Sequence, residues 1–276
     1  LSGDLRRRYL QQQMEMGGTD VILPAGMDRA AAAPPPSPVE PGTPPSAPTT
    51  EPTSAGSTRP ASAEEKWRVD APAIPGPGRT VTPAPGLISS ARAMFPDLGT
   101  LADAVRGCDA CPLCRERAHA VPGEGNPEAR LMLVGEGPGA TEDETGRPFV
   151  GRAGELLNGI LGAIGLTREE VFIANVVKCR PPKNRKPLPD EMAACFPYLH
   201  RQITLVKPRV LLALGGTAAE ALLDVRSSLG QLRGAVHRYD GIPLIVTYHP
   251  AALLRNPQWK KPTWDDVRIA RQLLDG

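Results

Sequence analysis

Cys108, Cys111, Cys114, Cys179 and Cys195 are the five thiols of a 276-residue chain. In Cys108-Asp109-Ala110-Cys111 two intervening residues separate the cysteines, a spacing that lets both thiolates reach one metal centre. Cys179 and Cys195 make a second pair with fifteen residues between them. Four thiolates of this kind suit a structural zinc or an iron–sulfur cluster, and the long second spacing tilts the reading toward iron–sulfur. Cys114 extends the first run to CDACPLC, but no C-x3-C-P follows, so it reads as a bystander. The second pair brackets NVVKCRPPKNRKPLPDEMAAC, where Lys178, Arg180, Lys183, Arg185 and Lys186 stand together without an acid among them. Such a cationic loop favours thiolates and suits a phosphate backbone.

Three further places carry groups able to do chemistry. GEGPG (135–139) follows a short apolar run, Asn175 stands near the end of another, and His249 ends a third just before Pro250. The elements that position them read as an alternation. Helical patterns are expected around 101–105, 153–166, 189–206, 216–225 and 263–274. Buried strands are expected at 129–136, 170–177, 208–215 and 243–250. Alternation of this kind predicts an α/β fold: a single three-layer α/β/α domain with a mostly parallel central sheet. In such sheets ligands sit outside the carboxyl ends of the strands, which is where GEGPG, Asn175 and His249 fall.

Composition divides the chain. Residues 1–95 hold 16 of the 32 prolines, with nine basic and nine acidic residues, so the net charge of +2 belongs to the remainder. The expected organisation is a short N-terminal helical segment at 1–24, a disordered Pro/Ala-rich linker at 25–95 and one folded domain at 96–276. So small a net charge is no global polyanion-binding signature, and nucleic-acid contact must come from local patches. No apolar run approaches the ~18–20 residues of a membrane span, and LSGDLRRRYLQQQMEM lacks the apolar stretch of a signal peptide. The expectation is a cytoplasmic protein with no membrane association, in which structural disulfides are out of place.

The motifs also carry a resemblance. C-x2-C-PL ahead of GEGNPEARLMLVGEGPGATEDETGRPFVGRAG, then NVVKCRPPKNRKPLPDEMAAC, then HPAALLRNP, resembles the family-four uracil-DNA glycosylases, the iron–sulfur members of that superfamily, over residues 100–274. The resemblance implies a 4Fe-4S cluster on Cys108, Cys111, Cys179 and Cys195, with Cys114 outside the ligand set. It implies a base-excision repair enzyme that flips deoxyuridine out of the helix and hydrolyses its N-glycosidic bond. Asn175 would read the uracil edge, Phe149 in GRPFVG would stack on the base, and Gly137 would line the pocket. His249, with the backbone N–H groups of the 136–139 turn, would stabilise negative charge on uracil O2.

Glu136 is a catalytic candidate with three open roles: positioning water, supporting His249, or bracing the turn. Better-known relatives carry an aspartate one position later, where this chain has Gly137. Lys183 and Arg185 would meet the DNA backbone. Leu253 or Leu254 would fill the gap left by the flipped nucleotide, and Arg255 would meet a phosphate. The expected partner is uracil-containing DNA, single- or double-stranded, bound by a monomer; the N-terminal segment reads either as a solvated helix or as a docking motif for a repair protein. The rivals are a non-catalytic iron–sulfur nucleic-acid-binding module of the same fold, a redox protein and a zinc protein.

Overall fold

A computed structural model describes residues 67–84 and 95–276. The N-terminal helical segment at 1–24 and most of the linker lie outside the described residues.

The strands form where apolar residues run without interruption, as both faces of a covered sheet require. β3 (Leu131–Gly135), β4 (Phe172–Asn175) and β5 (Val210–Leu214) are buried at every residue. With β7 (Ile242–Thr247) they make the parallel centre of a seven-stranded sheet. Two short strands lie antiparallel to it, β2 (Glu124–Gly125) on β4 and β6 (Val236–Tyr239) on β7. The remaining strand, β1 (Pro77–Val81), runs parallel to β6. The order is β1-β6-β7-β5-β3-β4-β2.

Alternate side chains of β3 feed the two cores. Met132 and Val134 pack with α1 (Leu98–Arg106), α4 (Pro189–Val206) and α5 (Gly216–Leu223). Leu131 and Leu133 pack on the other face with α3 (Arg152–Ala163) and α8 (Lys260–Asp275). Among the described residues the other α-helices are short: α2 (Ala140–Thr145), α6 (Leu229–Leu232) and α7 (Pro250–Arg255). The expected three-layer fold is therefore what forms. Helix α4 starts where the sequence places it. Pro189 occupies its first turn, and the Glu191 carboxylate accepts a hydrogen bond from the Leu188 amide at 2.7 Å, satisfying one of the free N–H groups of the helix start. Among the described residues no helix is long and apolar enough to cross a membrane.

The linker boundary at 95 needs correction. Trp67 is buried in the α3/α8 core, and β1 is a sheet strand inside the expected linker. Composition hid it because β1 is an edge strand with four of its five residues exposed, so no apolar alternation marks it. Gly78 is what lets it dock. A Cβ there would stand 2.5 Å from the imidazole of His237, whose Nδ1 accepts a hydrogen bond from the Arg79 amide at 2.9 Å.

Candidate active site and cysteine cavity

The carboxyl ends of β3, β4 and β7 bring the predicted groups together. Gly135 ends β3 in register with Asn175 at the end of β4. The pairing continues past the strands, from the Val176 amide to the Gly135 carbonyl at 2.9 Å and from the Val177 amide to the Glu136 carbonyl at 3.1 Å. A Cβ at Gly135 would lie 2.4 Å from Asn175 Oδ1 and 2.6 Å from Phe149 Cζ, so only glycine lets the amide and the aromatic ring meet there. Phe149 is 5% exposed, and its ring centroid lies 5.4 Å from that of His249.

Asn175 is 2% exposed, and its Oδ1 is buried with no hydrogen-bond partner. Leaving such an acceptor unpaired costs about 1–3 kcal/mol. Such an acceptor is met by an ordered water, an ion or a ligand group.

His249 caps α7, and its Nδ1 accepts a hydrogen bond from the Ala251 amide at 3.2 Å. That bond leaves the proton of the neutral ring on Nε2. Burial pushes the imidazole pKa down to about 4, with the Arg255 charge adding to the shift and Glu142 opposing it. His249 is therefore a neutral hydrogen-bond donor at ordinary pH.

Glu136 turns toward the start of α5, where the Thr217 hydroxyl donates to its Oε2. Burial pushes its carboxyl above the usual range, against the pull of Thr217 and Lys186. Gly137 is held close to β4, since a Cβ there would lie 2.7 Å from Val177 Cγ2. Sequence reading missed Thr217, because nothing in GGTAAEAL marks it as a partner of residue 136.

The basic loop needs correction at two of its cations, and the apolar wedge at one of its leucines. Lys178 is buried rather than facing outward: its Nζ donates to the Asn175 carbonyl at 2.8 Å and to Gln202 Oε1 at 2.6 Å. Arg185 is spent on a two-bond pair with the Glu191 carboxylate, at 2.8 and 2.6 Å. Lys183 is exposed, with φ at 53°. Leu253 is 1% exposed and belongs to the packing under α7, whereas Leu254 is 39% exposed beside the exposed Arg255. The difference follows from helical geometry, which turns neighbouring residues about 100° apart.

All four predicted cysteines line one cavity, with Cys114 also on its wall. They arrive from α1's end, from the turn at Cys111, from the segment after β4, and from α4. Two N–H groups point at the sulfurs: Arg117 Nη1 donates to Cys179 Sγ at 3.0 Å, and the Lys178 amide to Cys195 Sγ at 3.2 Å. Burial pushes the Cys195 thiol up to about 12, against the pull of Lys178. Among the described residues no three His, Cys, Asp or Glu side chains close around a point as a single ion requires. Four thiols around one cavity are a donor set that an iron–sulfur cluster or a structural zinc can take.

The strand ends of this α/β sheet thus gather a neutral histidine, a buried amide oxygen without a partner and a phenylalanine ring tilted 33° against the imidazole. The chain matches the uracil DNA glycosylase superfamily over residues 122–270. It is 50% identical over 169 residues to the type-4 uracil-DNA glycosylase of Pyrobaculum aerophilum, covering 58% of this chain and 86% of that one. It is 49% identical over 178 residues to the type-4 enzyme of Thermotoga maritima (63% and 93% covered), and 45% identical over 187 residues to that of Saccharolobus solfataricus (64% and 87%). The chain belongs to the uracil DNA glycosylase superfamily and, within it, to the type-4 group.

Proposed function

We propose that this protein excises uracil from DNA, hydrolysing the N-glycosidic bond of a flipped-out deoxyuridine and leaving an abasic site. The observation that carries the reading is the buried, unpartnered Oδ1 of Asn175 beside Phe149 and His249. Uracil presents N3–H as a donor and O4 as an acceptor. Asn175 accepts the first at Oδ1 and donates to the second from Nδ2, a pattern that cytosine reverses. Phe149 stacks on the base, worth about 1–3 kcal/mol. As the C1′–N1 bond breaks, its electron pair goes to uracil, and His249 Nε2–H donates to O2 where the charge gathers. Water supplies the oxygen that bonds C1′, and the proton it sheds passes through solvent to the released uracil anion, which departs as neutral uracil. Glu136, with Oε2 held by Thr217, keeps Oε1 to orient that water.

Cys108, Cys111, Cys179 and Cys195 would hold a 4Fe-4S cluster, which supplies a cross-link between α1, α4 and the basic loop rather than an electron. Lys183, Leu254 and Arg255 face the DNA, with Arg185 holding the loop through Glu191. The protein works as a cytoplasmic monomer, with residues 1–24 as the docking segment for a repair partner. The experiment that tests the reading is a single-turnover reaction on an oligonucleotide carrying one uracil, followed by alkali. Strand breaks at uracil, and none at matched thymine or cytosine, support it. An iron-loaded, folded protein that produces no breaks overturns it.

Two outcomes follow. Cys179→Ser loses most of its iron and unfolds at lower temperature than the unsubstituted protein. Iron content unchanged by the substitution removes Cys179 from the ligand set. For pH, a histidine whose folded pKa lies near 4, below the ordinary 6.5, stabilises the fold fully above pH 6.5, and that stability is lost as pH falls toward 4. The same neutral form does the chemistry, so His249 puts no break in the excision rate at pH 6.5; the rate falls at lower pH as the raised Glu136 carboxyl takes a proton and, toward pH 4, as His249 does. A break in the rate profile at 6.5 contradicts this assignment.

A further inference from the structure

We infer that Glu142 and Arg168 are positioning residues of the base pocket, a clamp that holds the backbone of Phe149 in a left-handed conformation and so sets its ring for the base. The inference rests on the stacking role proposed for Phe149.

Phe149 has φ at 51°. A bulky residue in that region costs about 1–2 kcal/mol and persists only where its surroundings determine it. Here both flanking peptides are tied down. The Arg168 guanidinium donates to the Pro148 carbonyl on the N-terminal side and to the Phe149 carbonyl, at 2.9 Å, on the C-terminal side. On the C-terminal side Glu142 Oε1 accepts from the Val150 and Gly151 amides, both at 2.9 Å. Its Oε2 accepts from the Gly139 amide at 3.1 Å, which joins this loop to the turn carrying Glu136 and Gly137. Arg168 is itself fixed by Glu124, whose Oε1 accepts from Nε at 2.8 Å. Gly154 completes the seat, because a Cβ there would lie 1.8 Å from the Phe149 carbonyl oxygen.

A guanidinium on two carbonyls and a carboxylate on the next two amides give four hydrogen bonds around one strained residue. That residue is the one whose ring meets Gly135, Asn175 and His249. A return of Phe149 to negative φ would redirect its side chain away from those three groups. Stability of a surface loop would not require the strain to sit at this position.

Arg168 is the cleaner residue to test, because the Glu142 charge also acts on His249. Single-turnover excision is measured for the unsubstituted protein, Arg168→Gln, Phe149→Ala and the double variant, with melting temperatures alongside. Arg168→Gln is expected to slow excision about 10–100-fold, as a misplaced binding group does. In the Phe149→Ala background the same change should slow it less than about 3-fold. Arg168→Lys, which keeps a donor, should recover part of the loss. An equal loss in both backgrounds, or none in the first, overturns the clamp. Excision by the unsubstituted protein reports separately on the proposed activity, and the Phe149→Ala rate on stacking. Hydrogen exchange across residues 147–152 reads the clamp whatever the activity: faster exchange there in Arg168→Gln supports it, and unchanged exchange overturns it.

Discussion

Asn175→Asp is expected to slow uracil excision about 1,000-fold and to bring cytosine within reach of the site. Sites built around hydrogen bonds to a substrate discriminate on that scale, because the wrong partner leaves buried polar groups unpaired. The side chain is 2% exposed, so an ionised aspartate there is poorly hydrated, and the nearby Lys178 ammonium is already engaged by the Asn175 carbonyl and Gln202. Its second oxygen faces uracil O4, acceptor against acceptor. The protonated acid presents one O–H and one C=O, which match cytosine N3 and the cytosine amino group. Single-turnover rates on matched uracil and cytosine oligonucleotides measure both halves. An unchanged uracil rate would remove Asn175 from base reading.

His249→Ala should cost about 100–1,000-fold in the chemical step, the usual effect of deleting one donor from an anion-stabilising site. It should also lower stability by about 1 kcal/mol, since Nδ1 caps α7 through the Ala251 amide. His249→Asn separates the two effects. Asparagine is a good capping residue and restores the melting temperature, but its short amide does not reach where Nε2 stood, so the rate stays low. Recovery of the rate along with the melting temperature would assign His249 a structural role only.

How much of this was legible beforehand depends on where the signal resides. The central strands announce themselves because β3, β4 and β5 are buried on both faces and read as unbroken apolar runs. The positions of Asn175 and His249 follow from strand ends, which sequence marks well. The cysteine cavity follows from spacing, since two pairs must converge for either to matter. What stayed hidden was set by distant partners. Lys178 reads as a surface cation until Gln202, from the middle of α4, takes its ammonium into the interior. Arg185 looks free until Glu191 closes on it. Leu253 and Leu254 are identical letters, and only the rotation of α7 decides which one is buried. The β1 strand was lost because an exposed edge needs only backbone pairing with β6, and PGRTV carries no pattern that distinguishes pairing from solvation. The strain at Phe149 has no sequence signature, since left-handed φ at a phenylalanine is imposed by Arg168 and Glu142 rather than by its own preference.

The central claim is that the unpaired Oδ1 of Asn175 receives the N3–H of uracil. The most direct test compares excision of deoxyuridine with excision of N3-methyldeoxyuridine in the same duplex. The methyl group removes the donor and sets an apolar group against Oδ1. It also breaks base pairing, which makes flipping easier, so a loss of excision must arise in the pocket. The account predicts that the methylated base is left in place while uracil is removed. Removal of both at similar rates would contradict it.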